Sequence, residues 1–191
     1  MRDYREFYRE AKGDMPRIYV DMDGVLCDFI LAAKRATGQN WVGLRDGQDW
    51  ESIRKTKNFW ANMPWTRDGK QLWSYLKKYN PHILSAYSIE DPNCIPGKMR
   101  WLRKEVGYTQ NSMINIVRRA EKKNFAMKGS DVGKRPAILI DDYPKNVQQF
   151  VEGSQQVLRR FLEGPYKLKV RFEEGVYKAM RSFCTLPRRR L

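Results

Sequence analysis

Short apolar runs alternate with amphipathic stretches along most of the chain. Residues 17–22, Arg-Ile-Tyr-Val-Asp-Met, form a brief apolar run that ends in an acid, the pattern of a strand buried on both faces. Similar runs recur at 82–86 (His-Ile-Leu-Ser-Ala), 113–117 (Met-Ile-Asn-Ile-Val) and 136–140 (Pro-Ala-Ile-Leu-Ile), and a last strand is expected near 155–159. The segments between them carry helical spacing. Residues 28–36 read as a helix stopped by Gly38, and 69–79 as one with Leu72, Trp73 and Leu76 on a single face. Residues 97–106, 121–128 and 144–152 complete the helical set, with a short amphipathic helix at 3–12. Residues 39–66 are Trp-rich and lack strand signals, so they read as a small helical insertion.

Strands that alternate with helices imply an α/β fold with a doubly wound parallel sheet, here with a small helical cap inserted after the first strand. The expected boundaries are a core of residues 1–27 and 69–160, a cap at 28–68 and a basic C-terminal extension at 161–191. Helices on both faces would leave the carboxyl ends of the strands open as a crevice, which is where such folds bind ligands.

Composition narrows the partners. The 191 residues are 41% hydrophobic and 13% aromatic, enough for a packed core, while 31% are charged. The net charge is +15 and the sequence pI is about 9.9, a balance that favours anionic partners such as nucleotides or nucleic acid. About half of that charge lies in residues 159–191, where ten Lys or Arg stand against three acids; the segment is either a nucleic-acid-binding surface or a solvated basic face. No apolar run approaches the roughly 20 residues of a membrane span. The charged N-terminus lacks the apolar stretch of a signal peptide, so a cytoplasmic protein with no membrane partner is expected. The three cysteines, Cys27, Cys94 and Cys184, include no CxxC pair and argue against a disulfide framework or a zinc site. The single histidine, His82, opens an apolar run and reads as structural.

Three strand ends carry polar residues that a strand does not need: Asp21-Met22-Asp23-Gly24-Val25, Ser85, and Asp141-Asp142. In a parallel sheet they meet at one edge. Carboxylates that converge there repel one another unless a cation intervenes, and a hard divalent ion such as Mg2+ prefers oxygen ligands of this kind. Gly24 breaks the first strand at once, so that Asp21 and Asp23 can face one pocket. One carboxylate can then attack phosphorus while the other handles the leaving-group proton.

These residues carry a resemblance. Asp21-Met22-Asp23-Gly24-Val25-Leu26 resembles the DxDGVL first motif of the haloacid dehalogenase superfamily of phosphohydrolases. Ile83-Leu84-Ser85 resembles the second motif of that superfamily, and Leu139-Ile140-Asp141-Asp142 the fourth, acidic one. The order and spacing agree across roughly residues 17–150. Phe59-Trp60, Met63-Pro64 and Tyr143-Pro144-Lys145-Asn146 are similar to stretches of the 5'(3')-deoxyribonucleotidase-like subgroup. After residue 150 the chain departs from the pattern, and the basic segment has no counterpart in it.

The resemblance implies a HAD-like, Rossmannoid core and a Mg2+-dependent hydrolysis through an aspartyl-phosphate. The substrate would be a (deoxy)nucleoside monophosphate, or alternatively a phosphate at a nucleic-acid 3' or 5' end; a non-catalytic nucleic-acid binder on the same scaffold is the third reading. It also implies roles. Asp21 is the nucleophile and a metal ligand, and Asp23 is the acid/base whose carbonyl also touches the metal. Ser85 donates to a phosphoryl oxygen, or else caps a turn. Lys122 stabilises developing charge, with Lys123 and Lys98 as alternatives. Asp141 is the acidic metal ligand. Asp142 holds a metal-bound water or a neighbouring lysine, or caps the helix at 144–152. Phe59 and Trp60 either stack on a base or form part of the core of the cap. Gly97-Lys98 looks like a fragment of a phosphate loop but lacks that loop's glycines.

Overall fold

A computed structural model describes residues 17–41, 49–126 and 137–152. The expected helix at 3–12, the end of the one at 121–128, the strand near 155–159, the extension at 161–191 and Cys184 lie outside these residues.

Four parallel strands form one sheet: β1 (Arg17–Val20), β2 (His82–Ala86), β3 (Ile114–Val117) and β4 (Ala137–Ile140), in the order β3-β2-β1-β4. The helices are α1 (Phe29–Thr37), α2 (Trp50–Lys55), α3 (Gly69–Leu76), α4 (Cys94–Trp101) and α5 (144–152). Single 3-10 turns lie at Phe59–Ala61, Lys77–Tyr79, Asn111–Met113 and Arg119–Glu121, and α4 runs on into a π-helical turn at Leu102–Val106. The chain is therefore α/β with an all-parallel sheet, as the alternation of apolar runs implies. Among the described residues no helix is long and apolar enough to cross a membrane.

The strands are apolar on both faces because both faces are covered. Ile18, Val20 and Ile83 belong to the larger buried cluster, with Leu26, Trp41, Ile53, Phe59, Trp60, Trp73 and Trp101. Tyr19, Leu84 and Leu139, the alternating residues, point the other way and pack with Ala126 and Phe150. Period-two alternation thus divides each strand between two cores. Fully buried aliphatics such as Leu26, Ile53, Ile83 and Leu84 each stabilise the fold by roughly 1.5–3 kcal/mol.

Element ends follow local chemistry. Asp28 caps α1 by accepting from the Leu31 N–H, Gly38 ends the helix in a left-handed conformation, and Asp49 caps α2 through the Ser52 N–H. Helix α4 starts at Cys94, three residues before the expected 97, since Asp91 and Asn93 build its first turn: Asn93 N–H donates to Asp91 Oδ1 and Cys94 N–H to the Asp91 carbonyl. The buried tryptophans Trp60 and Trp101 and the half-buried Trp65 all find acceptors for their N–H groups. Trp60 donates to Asp91 Oδ2 (2.7 Å), Trp65 to Glu105 Oε2 (2.8 Å) and Trp101 to the Met63 carbonyl (2.8 Å). His82 opens β2 and meets Tyr19 edge-on at 5.7 Å between ring centroids, a structural placement at the strand end opposite Ser85.

Helix α4 lies hard against the Phe59–Ala61 turn, and Gly97 permits that approach: a Cβ there would stand 2.4 Å from the Trp60 Cβ. Gly97→Ala is therefore expected to lower stability by about 1–3 kcal/mol through overpacking, although alanine favours a helix by about 1 kcal/mol. Chemical denaturation of the two proteins measures it, and an unchanged or raised midpoint would show that α4 can shift freely.

Candidate functional site

Sheet topology sets the site. From β1 the chain goes to β2 and β3 on one side, then returns to place β4 on the other side of β1. The carboxyl ends of β1 and β4 therefore flank the switch point, where the connecting elements diverge and a crevice opens. The register is in step, Val20 opposite Ile140, and Asp21 N–H extends it by donating to the Ile140 carbonyl at 2.9 Å. Asp21 and Asp141 are thereby brought side by side. Ser85 lies near the end of β2, one residue beyond the level of Asp21, because Val20 pairs with Ile83.

After Asp21 the chain closes a tight loop. The N–H groups of Leu26 and Cys27 both donate to the Met22 carbonyl at 2.8 Å, and Gly24 N–H donates to the Cys27 carbonyl at 2.8 Å. Gly24 takes a left-handed φ of 74°, and a Cβ there would fall 2.1 Å from Asp142 Oδ2. Glycine is required at this position on both counts, and the loop and Asp142 meet because of it.

Two lysines reach this centre. Lys122 Nζ lies 2.7 Å from Asp21 Oδ2 and 2.7 Å from Asp141 Oδ2. Lys98 Nζ donates to Asp23 Oδ2 (2.7 Å), Ser85 Oγ (3.0 Å) and the Ala86 carbonyl (2.6 Å). Both are buried, Lys98 at 0% and Lys122 at 1% exposure, whereas Lys123 is exposed. The choice among Lys122, Lys123 and Lys98 thus resolves into two lysines in the site and one on the surface. Lys98 is the residue whose weight the sequence conceals, yet a signal exists: it lies four residues after Cys94 and three before Trp101, on the buried stripe of α4. Asn146 also belongs to the site, although the stretch Tyr143-Pro144-Lys145-Asn146 carried no role for it. It is buried, shares a face of α5 with Phe150, and its amide donates to both oxygens of Asp141 at 3.1 and 3.0 Å.

The acids differ in setting. Asp21 is 6% exposed; its Oδ1 accepts from Met22 N–H at 2.7 Å. Asp23 has a side chain 32% exposed. Asp141 has a fully buried side chain and also accepts from Tyr143 N–H at 2.9 Å. Asp142 is exposed at residue level and lies against Gly24. Lys122 pairs with Asp141, the buried carboxylate within its reach. Phe59 and Trp60 are core residues, 6% and 3% exposed. Trp60 stacks on Phe29 at 5.5 Å and backs Lys98, whose Nζ is 5.4 Å from its ring centroid.

Burial raises the Asp21 pKa from 3.8 to about 6; Lys122 opposes the shift, and Asp23 and Asp141 add to it. Burial pushes the Lys98 ammonium down, but Asp23, Cys94, Asp21 and Cys27 together outweigh it and the net shift is upward. Burial also raises Cys27, and lifts Cys94 to about 11; both thiols stay protonated near neutrality and act as small core residues.

Four carboxylates here face two ammonium groups, which leaves two negative charges. Asp21, Asp141 and Asp142 each offer an oxygen, all within 4.8 Å of one another. A hard divalent cation fits both that donor set and that deficit.

The Asp21 shift has a consequence for stability. With a folded pKa of about 6 against 3.8 unfolded, the unfolded state releases the proton first as pH rises. The contribution is complete below pH 4 and lost by about pH 6, a change of about 3 kcal/mol. In metal-free buffer Asp21→Asn should therefore be more stable than the wild type at pH 7, and that advantage should vanish below pH 4. Urea titrations across pH measure it; parallel curves would refute a strained Asp21. Lys98→Met strands Asp23 and should cost about 3 kcal/mol, against less than about 0.5 kcal/mol for Lys123→Met, measured in the same titrations.

No protein-family model matches the chain, and no curated protein matches it. Its chemistry is therefore inferred from these carboxylates and lysines.

Proposed function

We propose that the protein is a Mg2+-dependent phosphomonoester hydrolase of the haloacid dehalogenase type, acting through an aspartyl-phosphate on nucleoside monophosphates. One observation carries the reading. A buried carboxylate, Asp21, stands at the carboxyl end of a central parallel strand, held by one backbone N–H and one lysine, with a second, more open carboxylate two residues on. A binding protein for phosphate has no use for converging acids, which repel it.

Exposure divides the roles. Asp21, desolvated and oriented by Met22 N–H and Lys122 Nζ, attacks phosphorus with one oxygen. The bond from phosphorus to the ester oxygen breaks as Asp23, open enough to exchange protons with solvent, protonates that oxygen. Water then attacks phosphorus of the acyl phosphate, losing its proton to Asp23; the bond from phosphorus to the Asp21 oxygen breaks, the Asp21 carboxylate is restored, and inorganic phosphate leaves. Lys122 counters the charge that develops beside Asp21, and Lys98 holds Asp23 and Ser85 in place. Asp21, Asp141 and Asp142 would hold Mg2+, and the chemistry it supplies when bound is neutralisation of the acids and of the phosphate dianion.

The rim favours a second reading, hydrolysis at nucleic-acid ends. Arg119 lies 4.9 Å over the Tyr143 ring, and Arg118 Nε donates to the Tyr87 hydroxyl at 3.2 Å. These cations and rings stand just beyond β2, β3 and β4, where a longer polyanion would continue from the site.

Asp21→Asn should keep the fold and lower phosphate release by at least about 10³-fold, and EDTA should abolish wild-type release until Mg2+ is returned. A phosphate-release screen over mononucleotides, phosphorylated oligonucleotides and sugar phosphates checks both points and separates the two readings. An Asn variant that keeps more than a few per cent of turnover removes Asp21 as nucleophile. Asp141→Ala should raise the Mg2+ requirement more than Asp142→Ala, since it also frees Lys122; a Mg2+ titration of both variants decides.

A further inference from the structure

Helix α4 has a second functional face. Lys98 points into the acid cluster, while Asn93, Gly97 and Arg100 line a separate, partly open cavity of about 160 Å3 whose other wall is formed by residues around Phe59. Trp60 stands between the two, with its ring 5.4 Å from Lys98 Nζ and its indole also in the cavity wall.

The lining is cationic and its one acid is already engaged. Arg54, Lys57 and Arg100 contribute three positive charges. Asp91 is buried, with Oδ2 taken by Trp60 Nε1 and Oδ1 by Asn93 N–H. Among the described residues no carboxylate lies within ion-pair distance of Arg54, Lys57 or Arg100, although Asp49 and Glu51 act on Arg54 at longer range. Arg54 is tethered through Nη1 to the Glu90 carbonyl at 2.8 Å, which positions the fork while most of its five N–H donors remain for a ligand. The Asn58 and Asn93 side chains make no capping bond to the turns they start. The volume is below the about 300–1,000 Å3 of pockets for drug-sized ligands, so the occupant is one small anion and not a whole nucleotide. Two guanidinium forks beside amide donors match the oxygens of a phosphate group.

We propose that this cavity is a second phosphate-group site, distinct from Asp21, that takes one backbone phosphate of a nucleic acid. A chain of net charge +15 meets polyanions more readily than it meets a free monoanion. The site stands whether or not Asp21 hydrolyses esters, because nothing in it belongs to the acid cluster.

The test uses the full chain, with Arg54→Gln/Arg100→Gln and Lys57→Gln as variants; all three side chains are exposed, and melting midpoints verify folding. Inorganic phosphate is titrated while the amide resonances of Asn58 and Gly97 are followed, with Gly24 reporting on the acid cluster. Binding of a labelled single-stranded oligonucleotide is measured across salt concentrations. Phosphate should shift Asn58 and Gly97 in the wild type and not in the double variant. The log K against log salt slope should flatten by about 0.7 for each backbone phosphate that the variant no longer neutralises, and release of phosphate from mononucleotides should be unchanged. Shifts at Asn58 and Gly97 with an unaltered slope would overturn the nucleic-acid occupant and assign the cavity to free phosphate. Absence of both effects would overturn the site. Because every readout here except turnover is binding, loss of the Asp21 assignment would not disturb the result.

Discussion

The constraint on which the rest of the structure depends is electrostatic. Four carboxylates gather at the ends of β1 and β4 around two buried ammonium groups. Desolvated like charges at such spacing are costly, and the surrounding structure meets that cost piecemeal. Lys122 bridges Asp21 and Asp141. The Tyr143 N–H and the Asn146 amide supply Asp141 with further donors, and Lys98 ties Asp23 to the end of β2. What remains is a deficit of two positive charges; the raised Asp21 pKa comes first from burial, with Asp23 and Asp141 adding to it.

The fold serves that cluster by rigidity. The inner strands β1 and β2 are buried on both faces, so their ends cannot move without disturbing two cores. Aromatic residues of the segment between β1 and β2, Trp41, Phe59 and Trp60, share one core with Ile18 and Val20 of β1. Packing there is therefore continuous with the strand that carries Asp21. Helix α4 links this packing to the chemistry: Gly97 lets it touch Trp60, and the next residue, Lys98, enters the acid cluster.

The sequence by itself determined the elements and the edge where they meet. Apolar runs of four or five residues fall where the four strands are, since a strand covered on both faces admits little else. Asp28 and Gly38 mark the ends of α1 through local hydrogen bonds and backbone conformation, which depend on neighbours in the chain. That Asp21, Asp23, Ser85, Asp141 and Asp142 meet at one edge was legible because each follows or ends an apolar run, and parallel strands align such ends. The tertiary structure decided what depends on distance between elements. It alone brought Lys98 from α4 to Asp23, 75 residues away in the chain, and set Lys122 on Asp141 in preference to Asp142. It alone placed the Asn146 amide on Asp141 and buried Phe59 and Trp60. Helical periodicity says which face of a helix is buried; whether a lysine on that face meets an acid is decided by the register and packing of strands that the local sequence does not encode.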